Sequence, residues 1–227
     1  MRCSGPLVDL GRRQLFATAA RAGLAVAGTA CAAVADSADQ TRVQFDVREG
    51  TWIARVGGQP AFTFAPAGDR QTPRPFFENL HAPGGYRVTR HRPLREGDLS
   101  DHAELHPGLW LAFGDLSGHD SWRLKARVQH DGFLEKPHAS RGQGSFAVRQ
   151  RYRANDSEAT VGVETFRFRL LVRPFGTLLL WDSVFQSEVN DFAFGDQEEM
   201  GLALRMHTPL TVRGGGRPPP EQPGPAQ

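Results

Sequence analysis

From residue 43 onward the chain is rich in period-two alternation of apolar and polar residues, and no helix-length amphipathic run follows the first 35 residues. Successive side chains on an extended strand point to opposite faces, so this period marks half-buried strands. Phe166, Phe168 and Leu170 share one face, and Arg167 and Arg169 take the other. Phe146, Val148 and Gln150 oppose Ala147, Arg149 and Arg151 in the same way. Further strands are predicted at Val43–Val47, Thr51–Val56, Ala61–Phe64, Leu109–Phe113, Trp122–Gln129, Thr177–Ser187 and Met200–His207. Turn residues separate them at Gly57-Gly58, Pro83-Gly84-Gly85 and Asn155-Asp156-Ser157. Many strands at short spacing with no intervening helices predict an all-β fold, an antiparallel sandwich or barrel.

Both ends of the 227-residue chain differ from this body. Arg12-Arg13-Gln14-Leu15-Phe16, an Ala-rich apolar stretch and Ala33-Val34-Ala35 read as an export leader of twin-arginine type over residues 1–35. The expected partner is the twin-arginine export machinery, and the expected location is periplasmic or secreted. Thr29-Ala30-Cys31 offers an alternative exit, with Cys31 acylated as a lipid anchor. The tail, residues 214–227, is Gly- and Pro-rich and is expected to be disordered. Residues 36–213 form the predicted domain.

The formal net charge is +2, but four arginines against Asp9 place +3 in the first 35 residues and leave −1 for the rest. That balance gives no reason to expect nucleic acid as a partner. Both cysteines, Cys3 and Cys31, lie in the leader. The body therefore has no disulfide, thiolate nucleophile or cysteine metal ligand. No stretch of the body approaches the ~18 apolar residues of a membrane span.

Three segments stand out. One runs Arg74-Pro75-Phe76-Phe77 to Pro83-Gly84-Gly85 and Val88-Thr89-Arg90. The next runs Asp101-His102-Ala103-Glu104-Leu105-His106-Pro107-Gly108-Leu109-Trp110 through Phe113-Gly114-Asp115-Leu116-Ser117-Gly118 to Asp120 and Trp122. The last is Phe194-Gly195-Asp196-Gln197-Glu198-Glu199-Met200-Gly201-Leu202. In order and spacing they resemble the bacterial PmoA-like family, labelled "methane oxygenase", over roughly residues 42–213. The resemblance implies a sandwich like that of sugar mutarotases, here incomplete at the C-terminus, because the family's further strand-rich region is missing. It also implies that Ala103, Glu104 and Leu105 interrupt a tighter Asp-His-Pro-His-His run.

His102, Glu104 and His106 are spaced at two residues, so on an extended segment all three leave one face about 6–7 Å apart. Two imidazoles and a carboxylate can hold a divalent ion, or serve as general acid and base. Asp101 can orient His102. The alternative is a polar loop bonded to its own backbone. Asp115 and Asp120 sit in a Gly-punctuated turn, where they can bind ligand hydroxyls or cap backbone N–H groups. Glu198 and Glu199, next to Asp196, can bring a carboxylate to the same cleft or form a solvated turn. Trp110 and Trp122 can stack on a sugar ring or fill the core. His81, His119, His130, His138 and His207 stand alone and receive no role.

The expected function is to act on, or bind, a carbohydrate-like polar ligand through this His/carboxylate site. The alternatives are a non-catalytic glycan-binding module, a metal-dependent oxygenase as the family label implies, and a non-functional truncated gene product.

Overall fold

A computed structural model describes residues 40–216, apart from 156, 188, 189 and 199. The segment read as a leader, most of the Gly/Pro tail, Asp156 and Glu199 thus lie outside the described residues. Among the described residues ten strands make two antiparallel sheets, as the alternation predicts. The first sheet has the order β1-β2-β3-β4-β5-β10, formed by β1 (Val43–Arg48), β2 (Thr51–Val56), β3 (Gln59–Ala65), β4 (Phe76–Glu78), β5 (Leu109–Phe113) and β10 (Met200–Leu204). The second is a meander of β6 (Val128–Ser140), β7 (Gln143–Arg153), β8 (Thr160–Arg173) and β9 (Gly176–Gln186). Among the described residues no helix is long and apolar enough to cross a membrane.

Phenylalanine rings from facing sheets make the core. Phe62 meets Phe168 at 5.0 Å between ring centroids, Phe64 meets Phe146 at 5.0 Å, and Phe77 meets Phe168 at 5.0 Å. The register places Phe146 opposite Phe168 and Val148 opposite Phe166, so the inward faces of β7 and β8 coincide. Beyond them the inward row turns polar. Buried Glu164 accepts hydrogen bonds from the Tyr152 hydroxyl at 3.1 Å and from the Ser183 hydroxyl, which itself accepts from the Trp181 indole N–H at 2.9 Å.

Two strand readings need correction: the strand predicted at Met200–His207 ends at Leu204, and the one predicted at Trp122–Gln129 is displaced. Residues 122–126 are turn and bend, and β6 begins only at Val128. Leu124 lies at φ 60°, outside any strand, and buried Arg74 takes the carbonyls of Ser121 and Trp122 at 2.8 and 2.7 Å. Those oxygens are therefore not available to a ladder. The short β4 and most of β6 were also not foreseen.

Candidate functional site

Strand alternation gives the six-stranded sheet two dressed faces. Phe77 points into the inter-sheet core, whereas its neighbour Phe76 packs with Ala65, Trp110, Ala112 and Trp122 in a separate cluster. The loops flanking β5 cover that second cluster. Arg74 anchors them: it is fully buried, lies 5.5 Å from the Trp110 ring centre, and also donates to the Leu105 carbonyl. Burial pulls its guanidinium down to about 10, still far above neutrality, so it stays charged. Trp110 and Trp122 are 2% and 6% exposed. The ring-stacking role read for them is corrected: both indoles belong to the core, and no ligand ring can reach them.

The segment around Glu104 is not extended. Residues 101–105 form turns, His102 sits at φ 49°, and the His106 N–H donates to the His102 carbonyl at 2.9 Å. The common strand face of His102, Glu104 and His106 therefore does not exist. The two imidazoles do stay close, 5.0 Å apart, because the turn folds the chain back. His106 stacks on Trp110 at 5.0 Å and 19°. Burial, then His102 and the arginines 205, 74 and 90, hold its pKa down at about 4. A neutral imidazole of this kind can share a hydrogen bond but takes a proton reluctantly. Asp101 does not orient His102; its carboxylate pairs with Arg205.

Glu104 and His106 line a hollow of about 230 Å³ with Arg90, His91 and Arg92. The arginines there are occupied by the protein itself. Arg90 donates to the carbonyls of Leu99, Asp101 and His106 at 2.6, 2.8 and 3.2 Å. Arg92 lies over the Phe76 ring, pairs with Asp69 and donates to the Ala103 carbonyl at 3.2 Å. These contacts fix the loop and leave little to offer a ligand.

Asp115, Asp120 and Glu198 converge in a different, more open hollow of about 420 Å³, shared with Arg123, Lys125, Asn155 and Gln197. Asp115 and Asp120 cap the turns they stand in. The Gly118 N–H donates to Asp115 Oδ1 at 2.6 Å, and the Arg123 N–H to Asp120 Oδ1 at 2.9 Å. Asp120 Oδ2 also faces Arg123 at 3.4 Å and Lys125 at 3.5 Å. The Asn155 side-chain oxygen accepts the Asp120 N–H at 3.2 Å, tying the β7–β8 turn to this rim. The single cleft predicted from the sequence is thus two hollows that share no lining residue.

The metal site read at His102, Glu104 and His106 is also corrected. The three such side chains that bring their ligand atoms together among the described residues are His91, Asp98 and His207. A family model matches residues 52–218, nearly all of the described body: a family of unknown function (DUF6807). The chain belongs to this family. No curated protein and no solved structure matches it. The DUF6807 match overturns the PmoA-like resemblance, and with it the ground on which the oxygenase reading and the truncation were inferred. In this DUF6807 chain sequence reasoning missed His91 and Asp98 and set His207 aside. Their spacing along the chain gives no signal, because the antiparallel bridge between Thr89 and Met206 is what brings residue 207 beside the loop that carries residues 91 and 98.

Proposed function

We propose that the body binds a small, carbohydrate-like polar ligand in the 420 Å³ hollow beside the Asp115–Asp120 turn. The observation that carries this reading is the lining: three carboxylates, two side-chain amides and two cations on one open concavity. Carboxylates accept from hydroxyls, Arg123 and Lys125 donate to ring or hydroxyl oxygens, and Asn155 and Gln197 do both. The size falls within the few hundred Å³ that small-ligand sites occupy. Glu198, which lacks the capping duty of Asp115 and Asp120, is the carboxylate most available to a ligand. The Arg12-Arg13 leader fits the same reading, because it would deliver the body to the periplasm or beyond, where glycans are met.

Calorimetric titration of the full chain with a panel of neutral mono- and oligosaccharides tests the proposal. Binding by at least one panel member is expected, weakened tenfold or more in Glu198→Gln and Lys125→Ala, with unchanged melting temperatures. Silence across the panel, or affinity indifferent to both substitutions, refutes it. Chromatography of the recovered ligand separates binding from turnover. A product that disappears in His102→Ala/His106→Ala would move the chemistry to the smaller hollow.

A further inference from the structure

We propose that His91, Asp98 and His207 hold a divalent transition-metal ion that clamps the β4–β5 connection to the segment leaving β10. This site is independent of the polar hollow. Each residue offers one ligand atom, and these atoms all lie within 4.8 Å of one another. His91 Nδ1 is 3.0 Å from Asp98 Oδ2, and the rings of His91 and His207 stand perpendicular with centres 4.9 Å apart. A tetrahedral ion with bonds of ~2.0–2.1 Å spaces its ligands about 3.3 Å apart. One pair is already near that spacing, and the third ligand needs a side-chain rotation on the order of 1 Å. Two imidazoles and a carboxylate suit Zn²⁺, Co²⁺ or Ni²⁺ rather than Ca²⁺ or Mg²⁺, and leave a coordination position open.

Two further observations point to a ligand. His207 is 7% exposed, and its buried Nδ1 makes no well-aligned hydrogen bond, although the Arg87 backbone lies near the ring. A buried polar atom without a well-aligned partner is costly. The carboxylate is also oriented in advance from both sides. Asp98 Oδ2 accepts the Arg95 N–H at 2.9 Å, and Oδ1 accepts the Thr208 hydroxyl at 3.2 Å. That hydroxyl in turn accepts the Leu99 N–H at 3.1 Å. Partners that fix a ligand's orientation are the usual surroundings of a metal site. The backbones are held at the right separation by His207 N–H to Val88 C=O at 2.7 Å and Arg90 N–H to Arg205 C=O at 3.1 Å. Arg87, whose charge reaches both imidazoles, opposes a cation here; the Asp98 carboxylate offsets it.

The test uses the full chain carrying Cys3→Ser and Cys31→Ser, which removes thiol ligands, stripped with a chelator and dialysed against Zn²⁺ or Co²⁺. One equivalent of ion is expected, with the visible absorption of low-coordinate Co²⁺ and a higher melting temperature in Zn²⁺. His207→Gln and His91→Gln should each bring bound ion below a tenth of an equivalent, while His102→Gln and His138→Gln leave it unchanged. Less than a tenth of an equivalent in the parent overturns the proposal. So does retention in both His207→Gln and His91→Gln, or loss in His102→Gln. Should buried His207 prove indispensable for folding, the His91→Gln arm decides alone.

Discussion

Replacing Arg74 by Met keeps the length of the side chain and removes its donors. Three backbone carbonyls, those of Leu105, Ser121 and Trp122, then lose their partner beneath the β5 loops. Each orphaned, buried carbonyl costs about 1–3 kcal/mol, and relief of the desolvated guanidinium offsets part of that. The net loss is about 3–5 kcal/mol, within the range for breaking a buried charged network. At ~2–4 °C per kcal/mol for a body of this size, the melting temperature should fall by about 6–20 °C. Calorimetry measures the fall. Amide exchange locates it, with residues 101–108 and 119–127 losing protection before β7 and β8. Arg74→Lys should lie between, because a single ammonium cannot span carbonyls on two loops. A drop under about 2 °C in Arg74→Met, or protection lost first in β7 and β8, would show that Arg74 does not hold the site together.

Three further outcomes follow from the same geometry. His106 titrates near 6.5 when unfolded and at about 4 when folded, so protons favour the unfolded chain. Its contribution is complete above pH 6.5 and fades as pH falls toward 4; His106→Gln should flatten the urea-midpoint profile across that window, and an unchanged slope would refute the assignment. Burial raises the Glu164 carboxyl, so its contribution is present below its unfolded value of 4.5 and is lost as pH rises through the higher folded one. The melting-temperature advantage of Glu164→Gln over the parent should therefore grow from pH 5 to pH 8, and an advantage that shrinks would reverse the sign. Gly68 has φ +70°, and a Cβ there would meet the Thr72 carbonyl oxygen at 2.1 Å, whereas Gly97 at φ +84° has open space. Gly97→Ala should cost about 1–2 kcal/mol from backbone strain alone, and Gly68→Ala clearly more; equal urea midpoints for the two would contradict the packing around Gly68.

The strands whose two faces meet different surroundings could be read from the sequence. β7 and β8 carry Phe and Val inward and Arg outward, and the register keeps that assignment. β6 could not be read, because three register shifts break its alternation and Gly132 and Pro137 interrupt it. Trp122–Gln129 misled for the opposite reason: its alternation is real, but Arg74 claims the Trp122 carbonyl and burial of Trp122 serves a cluster outside the inter-sheet core. The capping alternative at Asp115 and Asp120 was legible because turn chemistry is local. The turn at His102 was not, since a residue at positive φ gives no signature when it is not glycine. His91, Asp98 and His207 were invisible because strand pairing assembles them.

The strand order also sets a timetable. The entire four-stranded meander lies in the sequence between β5 and β10, two neighbours in the other sheet. On a ribosome the hairpins of residues 128–186 can close as soon as they emerge, each from adjacent chain. Leu109–Phe113 must wait with one edge bare until Met200–Leu204 arrives. During that interval the edge of β5 is open to any passing strand, so a nascent chain is exposed to edge-to-edge aggregation until those five residues arrive.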